Sequence, residues 1–497
     1  DARERAPGMK YLLDLYGVGD HGGGPTRTIL DSAQHWRAGN YPLPKMNFGT
    51  VKAFFTATEK TLANDSPVWN YQTIAKGYHE PQAINGKTVI PTWNSEMYFE
   101  YHRGIYTTQA NHKRNMRKST EEAINAEKLA SIAWVLGDTY PSKQLTEAWK
   151  KIAFNDFHDL AAGSGIGVIY KDAQRDYDQV HWSTNEISAQ AFNTLAAHIN
   201  TQAGGETPIL IFNPLAWHRS GLVTVDVQLP HKASGITIED AQKNILPSRI
   251  ISYDPDTNRY QLEVYAKDIP SLGYKLVTAT ASVNAQAMPI ASDLTSHDTT
   301  LENSLLRIAI DKKSGCITSI FNKKTQFEAL TAGGCGNELQ LFKDTPKRHD
   351  AWNIDPGTLD QKPVKLTQAD AVELIENNPL RNVIKIKRHW NHSNYTQEIM
   401  LYAHSDEVKI VNDIDWNESH LLLKTAFPLA ATNTMATYEI PFGTIERPTT
   451  RNNSWEQAQF EVSALRWADL SDKQHGFSLI NDSKYGYDVR DNVMRLS

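Results

Sequence analysis

The sequence predicts a multidomain chain whose fold class changes along its length, α/β first, then a helical bundle, then β-sandwich. Three observations carry this. Up to about residue 90, apolar strand-like runs, glycine-bearing loops and helical patterns alternate. Roughly the next 110 residues hold three amphipathic helical patterns, and from about Pro208 the chain becomes a succession of short β-branched runs. With 497 residues, the chain is long enough for about three domains.

In the first part, residues 9–16, with the run Tyr11-Leu-Leu-Asp-Leu-Tyr16, read as a buried strand. The loop Val18-Gly-Asp-His-Gly-Gly-Gly-Pro-Thr26 follows, and Thr26 to Trp36 reads as a helix with Pro25 and Thr26 at its start. Asn47 to Ala63 reads as a short strand and an amphipathic helix. Such alternation places ligand loops at the carboxyl ends of strands. The loop has neither the lysine of a phosphate-cradling P-loop nor G-x-G-x-x-G spacing. Asp20-His21 therefore reads either as a solvated pair in a tight turn or as part of a site.

The helical part opens with Ser119-Thr-Glu-Glu122, a capping box before Ala123, Ala126, Leu129, Ala133 and Leu136, closed by Gly137. A second helix begins near Ser142 and aligns Leu145, Trp149, Ile152 and Ala153. A third is expected from the capping box Ser183-Thr-Asn-Glu186, carrying Ile187, Ala191, Leu195 and Ile199. Three such helices make a bundle. The β part runs through PILIFNPLAW, GLVTVDVQL, YQLEVYAKDI and LLRIAIDKKSGCITSIFN to HGFSLINDSKYGYDV, broken by Gly, Pro, Asn and Asp. The expected divisions are 1–90, 91–204, 205–290 and 291–497.

Composition narrows the function classes. A formal net charge of −6 lacks the basic stripe of a nucleic-acid binder, and no apolar run approaches a membrane span. Twelve Trp and 20 Tyr suit a carbohydrate surface and a large core equally. Cys316 and Cys335 are the two cysteines, so one bridge at most can form and a reducing, cytoplasmic setting is the simpler reading. The first residue is Asp1, not Met, which reads as a piece of a longer polypeptide.

Four clusters could carry chemistry. They are Asp20-His21; the Glu-, Tyr-, His- and Arg-rich residues 96–117; NDFHDLAAGSGIG at 155–167; and NELQLFKDTPKRHDAWNID at 337–355, with Asp350, Trp352 and Asp355. Each has a structural alternative. Residues 96–117 could be a domain interface, and His158-Asp159 could cap a helix C-terminus, where a protonated imidazole is stabilised. No H-E-x-x-H and no C-x-x-C occurs, so no complete metal motif is present.

Together these motifs resemble glycoside hydrolase family 38, the retaining zinc-dependent α-mannosidases, in their bacterial and cytosolic or vacuolar branch. The resemblance rests on GVGDHGGGPT, EMYFEYHRGIYTTQANHKR, FHDLAAGSGIGVIYKDA, IFNPLAW, ELQLFKDTPKRHDAWNID and the closing IPFGTIERPTT…SALRWADLSD…GFSLINDSKYGYDVRD. They follow the family's order over nearly the whole chain. The resemblance implies that residues 1–90 are the C-terminal part of a catalytic α/β barrel, with the family's middle domain and β-sandwich domains after it. It also implies one zinc ion, with His158 as a ligand, and Asp20 as the general acid. His21, His102, Asp159, Asp350 and Trp352 would face the substrate. The family's other ligands, a His-x-Asp pair and an aspartate nucleophile, find no match; His404-Ser-Asp406 lies inside a β pattern. They are expected N-terminal to residue 1.

The implied partner is a mannose-containing oligosaccharide, without nucleic acid or membrane; relatives are often dimers or larger, so a homo-oligomer is compatible. Two other readings compete with the enzyme. One is a non-catalytic carbohydrate-binding remnant, and the other is a non-carbohydrate hydrolase on a similar scaffold.

Overall fold

A computed structural model describes residues 9–19, 22–40, 44–63, 67–70, 73, 83–85, 87–99, 101–201, 207–282 and 292–497. The chain divides into two compact units, Asp1–Tyr98 and Phe99–Ser497. Asp20 and His21 lie outside the described residues.

In the first unit, two helices form where expected. Helix α1 (Arg27–Ala38) is capped by Thr26, whose hydroxyl accepts from the Ile29 amide at 3.2 Å, satisfying one of the amides a helix start leaves open. Thr50 caps α2 (Val51–Glu59) in the same way through the Ala53 amide at 3.1 Å. The expected strands at residues 9–16 and near Asn47 do not form. Residues 9–17 have no ladder partner among the described residues, and Leu15 is 79 % exposed. A short apolar run becomes a strand only beside another strand, and periodicity cannot report the neighbour. The loop after it closes on itself by a bridge between Val18 and Gly23. Farther on, Val68–Trp69 pairs in parallel with Thr92–Trp93.

The second unit begins with three packed helices. Helix α3 (Ala110–Val135), α4 (Ser142–Asn155) and α6 (Gly167–Ala197) bury Ala123, Ala148, Ile152 and Val180 in one layer and Ala126, Ala130, Leu145 and Ile187 in the next. Each fully buried Leu or Ile contributes about 1.5–3 kcal/mol. Between α4 and α6 lies the single turn α5 (His158–Ala161).

Both expected capping boxes prove to be helix interior. Helix α3 starts nine residues before Ser119, which is 3 % exposed, and α6 starts sixteen residues before Ser183. Within α6 the Thr184 hydroxyl donates to the carbonyl of Val180 at 2.9 Å. A Ser or Thr that satisfies itself on its own helix needs no helix start. Polar residues such as His112 and Lys113 occupy the buried face of the first turn of α3, which hid the true start.

The strands among the remaining described residues pair antiparallel, with one short helix, Ser454–Ala458, and a 3₁₀ turn, Thr358–Asp360, between them. Strands Thr207–Asn213, Gly273–Ser282 and Gly235–Asp240 form one sheet, and Arg219–Gln228, Arg259–Ile269 and Ser248–Asp254 another. Val227, Ile238, Leu262, Val264 and Val277 from the two share one core. Five short strands from Thr295 to Glu328 and four from Ala371 to Asp415 each run in chain order. A six-stranded sheet carries Glu338–Lys343 beside Leu421–Pro428, and a four-stranded sheet includes Met435–Ile440 and Trp467–Ser471. In the six-stranded sheet, Lys424 is fully buried, with Nζ 2.5 Å from Glu461 and 2.9 Å from Asp488; Arg495 reaches Asp488 at 2.6 Å.

Cys316 and Cys335 form a disulfide with Cα atoms 4.9 Å apart. This uses the one bridge the composition permits, and it counts against the reducing setting, because such bonds persist in oxidising surroundings. Among the described residues no helix is long and apolar enough to cross a membrane.

Candidate active site

Three segments of the second unit converge: the 3₁₀ turn Arg103–Tyr106, the turn α5, and the loop 344–357 that leaves strand Glu338–Lys343. The loop is fastened to the 3₁₀ turn chiefly through its main chain. The Gly104 amide donates to the Trp352 carbonyl at 2.8 Å, and the Thr108 hydroxyl to the Ala351 carbonyl at 3.0 Å. The His102 amide donates to Asn353 Oδ1 at 3.1 Å. Gly104 is needed for closeness: a Cβ there would lie 3.0 Å from the Trp352 and Asn353 carbonyls. His102 takes a left-handed conformation, φ 65°, with its ring edge-on to Phe99 at 5.3 Å.

The α5 turn is tied to the same place. Lys113 is 6 % exposed, and its Nζ donates to the carbonyls of Thr108 and Ala161, each at 2.7 Å. Burial, with repulsion from Lys484, pulls its pKa down to about 8. Gly163, φ 83°, lets the chain after α5 pass so near that a Cβ would stand 2.4 Å from the Thr108 carbonyl oxygen. Beneath, His112 is buried with its Nε2 3.2 Å from the Asn155 carbonyl and its ring edge-on to Tyr170. Burial lowers its pKa, with the hydrogen bond to the Asn155 carbonyl opposing. Arg103, also buried, donates to the Ala458 carbonyl at 2.7 Å and lies over Phe460 at 4.3 Å.

Of the residues expected at a site, His102, Asp350 and Trp352 therefore sit on the two fastened loops. His158 and Asp159 open α5. His158 was expected at the end of a helix; instead α4 stops at Asn155 and His158 starts a new turn. A helix start does not favour an imidazolium, so the capping alternative loses its basis. The His158 side chain is 70 % exposed, with Nε2 3.6 Å from Asp159 Oδ2 and its ring 4.3 Å from that of Phe157. His404 pairs instead with Asp293, Nδ1 to Oδ2 at 3.2 Å.

Sequence reasoning missed Asp344, at the start of the loop. Burial raises its pKa to about 6, with the charges of Asp355 and Asp350 adding to the rise and His420 opposing it. Its position, directly after a strand and before a run containing two more aspartates, was the available signal. Lys113 had no such signal, since nothing local marks a lysine as buried.

His158 and Asp159 can offer a metal an imidazole nitrogen and a carboxylate, the donor types zinc takes. Among the described residues, however, no group of three His, Cys, Asp or Glu side chains is arranged to hold a metal ion. These residues alone do not make a zinc site.

The chain was compared with known proteins. Residues 3–72 match the glycosyl hydrolases family 38 N-terminal domain, 100–195 the alpha mannosidase middle domain, and 301–497 the glycosyl hydrolases family 38 C-terminal domain. Human alpha-mannosidase 2C1 is 30 % identical over 493 residues, covering 97 % of this chain and 41 % of the relative. Alpha-mannosidase G of Dictyostelium discoideum is 28 % identical over 499 residues, covering 95 % and 43 %. The chain thus spans about two-fifths of the length of the curated relatives it matches. Among solved structures, an alpha-mannosidase from Enterococcus faecalis V583 superposes with a TM-score of 0.73 at 14 % identity, over 92 % of this chain and 56 % of that one. At that identity the likeness speaks for the fold, a mixed α and β architecture rich in sheets. Three consecutive matches in one order, over most of the chain, identify it as a member of glycosyl hydrolase family 38.

Proposed function

We propose that this chain is part of a retaining, zinc-dependent α-mannosidase that removes terminal α-linked mannose from oligosaccharides. The observation that supports it best is the fastening of the loop carrying Asp350 and Trp352 to the turn behind His102, with α5 and His158 tied to the same Thr108. Segments far apart in sequence are joined there mainly through their main chains, which leaves side chains such as His102 and Asp350 exposed, as a sugar subsite requires. The proposed organisation is a barrel segment at 1–90, a helical bundle at 91–204, a small sandwich at 205–290 and a large one at 291–497.

Retaining hydrolysis uses two carboxyl groups about 5 Å apart across an oxocarbenium-like transition state. Asp20 is the proposed acid, giving its proton to the leaving glycosidic oxygen and then taking one from the incoming water. No residue of the chain is assigned as nucleophile. His158 is proposed as one zinc ligand, Asp159 as a hydrogen-bond acceptor for a sugar hydroxyl, and His21, His102, Asp350 and Trp352 as substrate contacts. When bound, zinc would serve as a template for sugar hydroxyls; the described residues do not complete its site, so no step is routed through it. A homo-oligomer and a cytoplasmic setting remain part of the proposal, the latter against the disulfide.

The experiment uses the full-length protein. Asp20→Asn should lower kcat/KM for an alkyl α-mannoside by ~10²–10⁴-fold, the range of general acid catalysis, with much less effect on kcat/KM for an activated aryl mannoside, whose leaving group needs little protonation. Equal losses on both would remove Asp20 from the acid role. His158→Ala should lower bound zinc and activity together; unchanged zinc by metal analysis overturns the ligand assignment. A full-length wild type that binds mannosides without cleaving them would favour the carbohydrate-binding remnant.

A further inference from the structure

A cavity of about 670 Å³ opens between the loops 432–434, 449–452 and 490–492. Among the described residues its walls are threonine, asparagine, arginine and one aspartate, with no aromatic ring. Two guanidinium groups line it, and they are in different states. Arg490 is offset by Asp360, which accepts from its Nη1. Arg451 has no carboxylate within ion-pair distance among the described residues; its Nη1 is held by the Thr450 carbonyl at 2.8 Å, and its buried Nε has no partner. Asp488 and Glu456 act on Arg451 only at longer range, and the Glu456 carboxylate is held by the Thr450 hydroxyl at 2.8 Å and the Asn452 amide at 2.7 Å. Asp491 stands at the rim with its side chain 90 % exposed, where water screens it.

We propose that this cavity is a second ligand site, for an oxyanion of the phosphate or sulfate kind, free or carried as the ester of a sugar. Arg451 supplies a guanidinium that no direct ion pair closes off among the described residues, pinned through Nη1 so that little freedom is lost on binding. Thr432 and Thr434, both exposed, line the same walls, and their hydroxyls can complete the shell of an anion that Arg451 attracts. Partial burial, which lowers the Arg451 pKa, marks a guanidinium short of water. An aromatic-free wall disfavours a neutral sugar, which normally stacks on a ring. The proposal stands whether or not the chain hydrolyses mannosides.

The test is calorimetric titration of the whole chain with inorganic phosphate, at an ionic strength held constant with chloride. Saturable one-to-one binding is expected, weakened about tenfold or more by Arg451→Gln, roughly the loss of one charge-assisted contact. Should Arg451→Gln not fold, Thr434→Val and Thr432→Val carry the test, because both side chains are exposed; each should weaken binding several-fold. A hexose 6-phosphate that binds more tightly than phosphate identifies a sugar ester as the ligand, and equal binding identifies the free oxyanion. No saturable binding, or binding untouched by these substitutions, overturns the proposal.

Discussion

Replacing Lys113 by Met gives a sharp test of how the site is held. In the folded chain the Lys113 pKa is about 8, against 10.5 for an ordinary lysine. That gap corresponds to about 3 kcal/mol by which the fold disfavours the charged form. Below pH 8 the lysine is charged in both folded and unfolded chains, and the fold bears the whole penalty. Between 8 and 10.5 the unfolded chain binds more protons, so stability rises with pH; above 10.5 the penalty is gone. Lys113→Met removes this titration and leaves the Thr108 and Ala161 carbonyls without their donor. The stability difference between wild type and variant should therefore widen by about 3 kcal/mol between pH 7.5 and 10.5. Denaturant midpoints at a series of pH values measure it, and titrating groups remote from Lys113 cancel in the difference. A difference independent of pH would refute the buried-lysine argument and the tie it describes.

Three further outcomes follow from the same geometry. Gly163→Ala should cost at least about 1–2 kcal/mol for the left-handed backbone alone, and the clash with the Thr108 carbonyl should shift α5; thermal unfolding and amide exchange at 157–163 report both. Cys316→Ser should cost about 3 kcal/mol for a loop of this size, and thiol titration of the unreduced wild type should find no free thiol until the bond is reduced. Lys424→Met takes the buried ammonium away from Glu461 and Asp488, leaving Asp488 only Arg495 as its cation, and should destabilise by about 3–5 kcal/mol in denaturant titration.

Much of the architecture is legible in the residues. The α4 stripe, α1 with its Thr26 cap and nearly every β run after Pro208 lie where local pattern puts them, because apolar period and turn residues act within a few positions. What local pattern cannot report is a neighbour. Residues 9–16 are apolar enough for a strand but have no strand beside them among the described residues, and Ser119 and Ser183 look like helix starts although each lies well inside a helix that begins earlier. The same holds at the site. His102, Asp350 and Trp352 can be singled out by type and motif, whereas Lys113 and Asp344 acquire their shifted pKa values from burial and from charges brought near by folding.

The attachment of the Trp352 loop has a consequence for how specificity can change. Two of its three bonds to the 102–108 turn end on carbonyl oxygens of Ala351 and Trp352, atoms that every residue possesses. Side chains at 350 and 352 can then be exchanged without releasing the loop, so contact chemistry and attachment can diverge independently. Under the sugar contacts proposed for Asp350 and Trp352, such a loop would let substrate choice change while the scaffold stays as it is.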